Sequence, residues 1–316
     1  MKLIPTPPEP DFRRYTCSAS IDFVTVFHPT HVNLPIDSNQ GNICCELGQG
    51  RSTTLHDLSP DDLDAVSPHL GDAQIIKLEV SLDFRVRGNP DDAERERLLH
   101  EVGDWLLAHL YPWSAPGIQV GHRVSRCKGR AEKIVRPSGD ITSARTGDTL
   151  YLGHSDSTYA NRDQPNFASM RFYVKKTDDK RAVTSRRWSA RVEVTLTREG
   201  CEHFGLGTLD DLRGFNFRKL SKYFRMVRPS FTLGTPKRGR KFDPPLQAAI
   251  EAWVAKFLAE RVNDAGAWSL HDVNFATPSH ERNAAANRHI GVTLSNLSRK
   301  FALPRKCSAE AAPFVS

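Results

Sequence analysis

The sequence predicts an α+β fold with a mainly antiparallel sheet, helices on one face, and a helical basic C-terminal region. Several segments alternate apolar and polar residues, as half-buried strands do. Other segments carry a single apolar stripe at helical spacing, which suits helices packed on a sheet. A long run of positive charge occupies the C-terminal third of the chain. These three observations favour one sheet with a helical cover and a charged C-terminal extension.

The most informative stretch runs from Thr149 to Thr197, where three segments alternate in this way. The middle segment, M-R-F-Y-V-K-K, directs Arg171, Tyr173 and Lys175 to one face of a strand. A phenol flanked by cations can attack a phosphodiester when an acid that holds a metal lies nearby. Periodicity alone leaves an alternative open, which is an ordinary antiparallel sheet with a solvated polar face.

Two strand-like segments resemble each other and carry acidic residues at matching positions. When residues 75–84 are aligned with residues 189–198, Glu79 falls on Glu193, and Asp83 adds a second acid on the Glu79 face. If the two strands are neighbours, the carboxylates approach and repel each other unless a divalent cation lies among them. The match therefore predicts a metal site at Glu79, Glu193 and Asp83, and a chance likeness of two short strands is the alternative.

Bulk properties narrow the class of protein. The 316 residues carry a formal net charge of +7, which suits a polyanionic partner. No apolar run is long enough to span a bilayer, and the proline-broken N-terminus does not resemble a signal peptide. The six cysteines include no C-x-x-C pair, so we expect reduced thiols in a cytoplasmic protein, without membrane association.

Local signals give the remaining elements. Asn89 and Pro90 predict a helix start, as do Ser59 and Pro60, because these residue types suit the N-cap and first helical positions. The predicted elements are, in chain order, a flexible N-terminal arm over 1–19, a strand over 21–27, a short helix from Ser59–Pro60, a strand over 75–87, a helix from Asn89–Pro90 to Leu110, a helix from Thr208 towards Phe217, and helices over 243–262 and 279–301.

The segment from Leu212 to Phe242 contains no acidic residue and interleaves cations with aromatic residues. Cations neutralise phosphates, and exposed aromatic rings stack on unpaired bases. A solvated helix whose aromatic residues face the core is the alternative. We expect DNA contacts here from Arg218, Lys219, Lys222, Arg225, Arg228, Lys237 and Arg238.

The order of these segments resembles that of rolling-circle replication initiators of filamentous phages and of plasmids of the Rep_trans type. Such initiators carry an I-D strand, an R-[LI]-D-x-x-x-D strand, a T-x-Y-x-G strand, an R-x-Y-x-K strand and an R-x-E strand. The corresponding segments here are I-D-F-V-T-V-F, K-L-E-V-S-L-D-F, T-L-Y-L-G, M-R-F-Y-V-K-K and A-R-V-E-V-T-L. The resemblance covers roughly residues 20–225, and its specificity lies in the ordered set of motifs.

The resemblance implies a nicking domain over 20–230 and a helical basic region over 231–316. It implies that Tyr173 attacks the DNA, that Lys175 and Arg171 stabilise charge on the phosphoryl oxygens, and that Glu79, Glu193 and Asp83 hold Mg²⁺ or Mn²⁺. Expected partners are single-stranded or hairpin origin DNA, with a host helicase, a polymerase and a second copy of the chain left open. The compartment implied is the cytoplasm of a bacterial host.

The chain departs from the family pattern at identifiable places. Glu79 replaces the usual Asp, Lys77 replaces Arg, and the long interval between Gly153 and Arg171 contains a second candidate nucleophile, Tyr159. A non-enzymatic origin binder or repressor that uses the basic segment is the rival function. The ordered Arg, His-x-x-Arg and Tyr set of tyrosine recombinases is not found in the sequence.

Overall fold

The computed structural model describes most of the predicted nicking domain and part of the C-terminal region. The described residues are 10–29, 34, 43–47, 50–110, 115–118, 124–128, 131–135, 149–152, 163–178, 181–233 and 276–302. Tyr159, Lys237, Arg238 and the helix predicted over 243–262 lie outside them.

The described strands are β1 (Tyr15–His28), β2 (Ile43–Leu47), β3 (Gly50–His56), β4 (Gln74–Val86), β5 (Val124–Lys128), β6 (Ala131–Val135), β7 (Thr149–Leu152), β8 (Ala168–Lys175), β9 (Thr177–Asp178), β10 (Arg181–Ala182), β11 (Ser189–Leu196), β12 (Val227–Leu233) and β13 (Ala276–Arg282). The α-helices are α1 (Pro60–Leu70), α2 (Asp92–His109), α3 (Arg198–Phe204) and α4 (Ala284–Phe301). Short 3₁₀ helices cover Phe12–Arg14, Ser185–Arg187, Leu209–Gly214 and Phe217–Lys222.

Nine of these strands form one antiparallel sheet in the order β2-β3-β1-β4-β11-β8-β7-β5-β6. The two strands that resemble each other in sequence, β4 and β11, are direct neighbours in its middle. Most of β4 and all of β11 are buried. The α+β class and the antiparallel sheet are therefore confirmed.

One face of the sheet is apolar and lies under helices. Leu78, Val80 and Leu82 of β4 are fully buried, and α2 packs across β4, β11 and β8. The hydroxyl of Tyr15 in β1 donates a 2.9 Å hydrogen bond to the carbonyl of Leu98 in α2. Helix α4 packs against β1 and contributes to the same hydrophobic core. Both long helices therefore cover one face of the sheet, as the alternation of the strands predicts.

The helix starts agree with the sequence signals in one case and differ in another. Ser59 caps α1 in a reciprocal capping box with Asp62, and Pro60 is the first helical residue. Helix α2 begins later than predicted, because Asp91, not Asn89, is its N-cap and accepts a 2.8 Å hydrogen bond from the backbone of Glu94. A carboxylate at that position also interacts favourably with the helix dipole.

The region after β11 differs from the sequence prediction. Instead of one helix from Thr208 towards Phe217, two separate 3₁₀ helices occupy Leu209–Gly214 and Phe217–Lys222, although the predicted capping box of Thr208 and Asp211 is present. The described part of the C-terminal region is also not wholly helical, since β12 pairs with β13 before α4 begins.

The described elements cross both predicted domain boundaries. The boundary at 230/231 falls inside β12, and the predicted arm over 1–19 includes the first residues of β1. Tyr15 is buried in the core, and so are Ile290 and Leu294 of α4. These described parts of both ends therefore share the core of the central sheet.

Candidate active site on the polar face of the sheet

The second face of the central strands is polar and largely buried. Antiparallel pairing sets Glu193 of β11 opposite Ser81 of β4, and Thr195 opposite Glu79. Glu79 and Glu193 are thus diagonal neighbours on one face, a relation that brings long side chains within reach of each other. Both side chains are almost completely buried. The solvated polar face that periodicity left open is therefore not what these central residues form.

A β-bulge in β1 adds a third carboxylate, from Asp22. The register between β1 and β4 shifts between Ile21 and Phe23, which leaves Asp22 as the extra residue. A bulge re-aims the side chains of its strand and is frequent beside functional sites. The side chain of Asp22 accordingly reaches β11, where it accepts a 2.7 Å hydrogen bond from Arg191.

Asp22, Glu79 and Glu193 each place one carboxylate oxygen within 4.8 Å of the others. The predicted proximity of Glu79 and Glu193 is confirmed, whereas Asp22 was missed as a site residue. The sequence feature that could have identified Asp22 is the I-D strand, the first in the ordered set of motifs of the replication initiators. Asp22 is also the more accessible of the three, with 21% of its side chain exposed.

Asp83 is not part of this acidic triad, contrary to the prediction from the sequence. Its two carboxylate oxygens lie 2.8 Å from Nε and Nη2 of Arg191, and it also pairs with Arg85 and accepts a hydrogen bond from Ser189. Burial alone would raise the pKa of Asp83, but the hydrogen bonds and charge of Arg191 hold it below its ordinary value. Asp83 therefore serves to anchor Arg191.

Arg171 lies between the two buried glutamates of the triad. Its Nη2 donates a 2.7 Å hydrogen bond to Oε1 of Glu79, and its Nε is 2.7 Å from Oε2 of Glu193. The second contact is an ion pair, and among the described residues Oε2 of Glu193 has no hydrogen-bond donor. Arg171 thus neutralises the carboxylates that the sequence assigned to a metal.

The charges within this buried cluster do not balance. Its described members are four carboxylates and three guanidinium groups, those of Asp22, Glu79, Asp83, Glu193, Arg85, Arg171 and Arg191. Burial and the charge of Glu193 raise the pKa of Glu79 to about 8, despite the opposing effect of Arg171. Burial also raises the pKa of Glu193. The cluster therefore favours an additional positive charge, either a proton or a cation.

Tyr173 joins the cluster through its hydroxyl. On β8 it lies opposite Arg191, and its hydroxyl donates a 2.6 Å hydrogen bond to Oε1 of Glu193. Burial and the Glu193 carboxylate raise the pKa of this phenol. The neighbouring cations Arg191 and Arg171 oppose this rise in the pKa but do not overcome it. Lys175, predicted on the same face, is half-buried and lies opposite Ser189, farther along the strand.

The triad fits a hard divalent cation in its chemistry. Magnesium and manganese ions prefer carboxylate oxygens, and three such groups converge here beside a buried Glu193 oxygen that accepts no hydrogen bond. Since Arg171 contacts Glu79 and Glu193, a metal held by the triad would compete with that guanidinium group.

Over the part of the basic segment whose side chains the structure describes, residues 212–227, cations are exposed and aromatic rings are not. Arg218, Lys219 and Lys222 are exposed, and Arg225 is half-buried. Phe215, Phe217, Tyr223 and Phe224 are all buried in the core. Base stacking on these four rings is therefore excluded in this fold, and the alternative in which the aromatic residues face the core is correct for them. Arg228 lies on β12.

Comparison with protein-family models, curated proteins and solved structures finds no match for this chain. Within the described residues, no helix combines the length and apolar character needed to cross a bilayer. The residues of the site are thus the basis for any statement of function.

Proposed function

We propose that this protein nicks one DNA strand at a replication origin by metal-dependent tyrosine transesterification. The products are a 5′-phosphotyrosine on the protein and a free 3′-hydroxyl that primes rolling-circle replication. The observation that carries the proposal is the 2.6 Å hydrogen bond from Tyr173 to Glu193, a member of the acidic triad. A nucleophile in hydrogen-bond contact with a base is the arrangement that covalent catalysis requires.

In this reaction Glu193 accepts the phenolic proton as the oxygen of Tyr173 bonds to phosphorus. The bond from phosphorus to the 3′ oxygen breaks, and that oxygen takes a proton from solvent. Because burial makes the phenolate of Tyr173 costly, proton transfer to Glu193 is best concerted with attack. The phosphotyrosine bond retains the energy of the phosphodiester, so the strand can later be rejoined.

The remaining residues of the site bind and neutralise the phosphate. Asp22, Glu79 and Glu193 would hold Mg²⁺ or Mn²⁺, which when bound polarises a phosphoryl oxygen as a Lewis acid. Arg171 has a third of its side chain exposed and is the cation of the cluster closest to both triad glutamates. Once displaced from them, its guanidinium group can pair with a non-bridging phosphate oxygen.

The test is incubation of the full-length protein with a pool of single-stranded origin fragments and Mn²⁺, followed by a denaturing gel. A labelled protein–DNA adduct is expected for the wild type and not for Tyr173→Phe, which removes one hydroxyl and preserves the ring. Tyr159→Phe and Tyr151→Phe are the matched controls and should retain the adduct. An adduct that survives Tyr173→Phe and disappears in Tyr159→Phe would assign the nucleophile to Tyr159 instead.

A non-enzymatic DNA-binding protein, acting as an origin binder or repressor, is the second candidate. One observation favours it, which is that Arg171 already contacts both buried glutamates and so forms an ion-pair network sufficient for a structural role. DNA binding with no adduct under any divalent metal, and unchanged by Tyr173→Phe, would select this function.

A further inference from the structure

Helix α4 has one face buried in the core and the opposite face exposed. The buried stripe includes Ile290, Leu294 and Leu297, at the spacing of successive helical turns. Val292 lies on the exposed side, where 53% of it is exposed. Among the described residues, it is the large hydrophobic residue that is exposed. The exposed residues of the helix are Ala284, Ala285, Arg288, His289, Val292, Asn296, Arg299 and Lys300.

The charge of this face has one sign. Helix α4 contains no acidic residue, and its cations sit at both ends of the exposed face. The amide oxygen of Asn296 accepts a hydrogen bond from Arg299, so two groups able to bind base edges are neighbours on the surface. An exposed face that combines cations, an amide and one apolar side chain is unlike an ordinary solvated helix face, where acids and bases are mixed.

Part of the basic segment lies alongside α4. The 3₁₀ helix Phe217–Lys222 packs against α4, and the backbone N–H of Phe217 donates a 2.8 Å hydrogen bond to the hydroxyl of Ser298. The guanidinium group of Arg218 lies next to Gly291. Its Nε and Nη2 atoms are each 4.0 Å from the position that a Cβ atom would take on this glycine. Arg218 of this segment therefore borders α4, and Lys219 and Lys222 are exposed cations of the same 3₁₀ helix.

We propose that the exposed face of α4 is a sequence-reading surface that enters the major groove of duplex DNA. The major groove admits an α-helix and offers hydrogen-bond acceptors, donors and thymine methyl groups in a distinct pattern for each base pair. Arg288 and Arg299 suit guanine, Asn296 suits adenine, and Val292 suits a thymine methyl group. Arg218, together with Lys219 and Lys222 of the same 3₁₀ helix, contacts the phosphates and sets the orientation of α4.

The dimensions agree with this role. Arg288 and Arg299 are eleven residues apart, which at 1.5 Å per residue is about 16 Å along the helix. That length corresponds to about five base-pair steps of 3.4 Å each. A single helix face can thus read one short half-site. The cations of this face favour a polyanionic partner, and its amide and apolar side chains favour a partner that also exposes base edges. A DNA duplex offers both, whereas a uniformly charged polyanion offers only the first.

This inference rests on the proposed function only in taking DNA as the partner; strand cutting plays no part in it. Selection from a random double-stranded pool, with the full-length protein in chelator, is the direct test. The wild type is expected to enrich one short motif. Asn296→Ala should relax the preference at one base position by roughly 5- to 100-fold, the range typical of losing one good base contact.

The matched variants separate reading from phosphate contact. Arg218→Ala should weaken binding to enriched and unenriched sequences alike, whereas Arg87→Ala, an exposed cation at the end of β4, should leave both unchanged. No enriched motif, a motif unaltered by Asn296→Ala and Arg288→Ala, or binding to single strands only would each overturn the inference. If the protein selects a duplex motif but forms no covalent adduct, the proposed reading surface is supported and the proposed nicking activity is refuted.

Discussion

Among single residues, Arg171 decides whether the triad is a metal site or a closed ion-pair network. We expect Arg171→Gln to destabilise the metal-free protein by about 1–3 kcal/mol, less than a fully buried pair would cost because a third of the Arg171 side chain is exposed. The same variant should gain more thermal stability from Mn²⁺ than the wild type does, since no guanidinium group competes for Glu79 and Glu193. Thermal unfolding with and without Mn²⁺ measures both effects.

Arg85→Gln is the matched control for that measurement. Arg85 pairs with Asp83, which lies outside the triad, so its loss should cost stability without changing the response to Mn²⁺. Equal Mn²⁺ responses in Arg171→Gln and the wild type would show that the metal does not bind where Arg171 sits.

At the scale of elements, the first turn of α3 tolerates only glycine at position 200. A Cβ on Gly200 would lie 2.0 Å from the backbone carbonyl oxygen of Phe167, which itself accepts a 2.9 Å hydrogen bond from Thr197. Because backbone cannot move away as a flexible side chain can, Gly200→Ala should lower the free energy of unfolding by more than about 2 kcal/mol. Chemical denaturation measures the change.

Gly214 supplies the control for this substitution. A Cβ there meets nothing within 4 Å, so Gly214→Ala is expected to change stability by less than about 1 kcal/mol in either direction. Equal stability of the two alanine variants would contradict the close approach of Gly200 in α3 to the backbone of Phe167.

The basic segment has exposed cations that we expect to bind DNA and buried aromatic residues that stabilise the core, and alanine substitutions can separate these two roles. Arg218, Lys219 and Lys222 are exposed, so replacing any one with Ala should weaken DNA binding and reduce the slope of log K against log salt by about one unit. Phe217 is fully buried, and Phe217→Ala should instead cost about 3–5 kcal/mol of stability. Binding titrations over a series of salt concentrations test the first expectation, and a salt slope unchanged by all three cation variants would contradict it.

At the scale of the whole molecule, the buried acids make stability depend on pH. The pKa of Glu79 is about 8 in the folded protein against an ordinary 4.5, so the folded state holds the proton more tightly than the unfolded state. The resulting stability is fully present below pH 4.5 and is lost as pH rises towards 8. In chelator, the melting temperature should fall by more than about 3 °C between pH 5 and pH 8.5.

Glu79→Gln mimics the protonated carboxyl and should flatten this pH dependence. Glu101→Gln, which changes a carboxylate with 39% of its side chain exposed, should leave it intact. Mn²⁺ should restore the melting temperature of the wild type at pH 8.5, because a bound cation replaces the lost proton as the neutralising charge. A wild-type melting temperature that stays flat or rises over this range would contradict the raised pKa.

Much of the fold follows from the sequence by itself. The period-two alternation in β4, β8 and β11 determined which residues face the core, because successive side chains of a strand point to opposite faces. The likeness of β4 and β11 also indicated that Glu79 and Glu193 would meet. Local chemistry at Ser59 and Pro60 was enough to locate the start of α1, since capping depends on residues only three apart.

Tertiary structure alone decided the composition of the site. The bulge that includes Asp22 in the triad arises from a register shift between β1 and β4, which alternation within one strand does not reveal. The pairing of Asp83 with Arg191 and the position of Arg171 between two glutamates depend on side chains from three neighbouring strands. Alternation along each strand established which residues share a face, whereas the packing of the strands established which charges neutralise one another, because ion pairs form by distance in space and not by spacing along the chain.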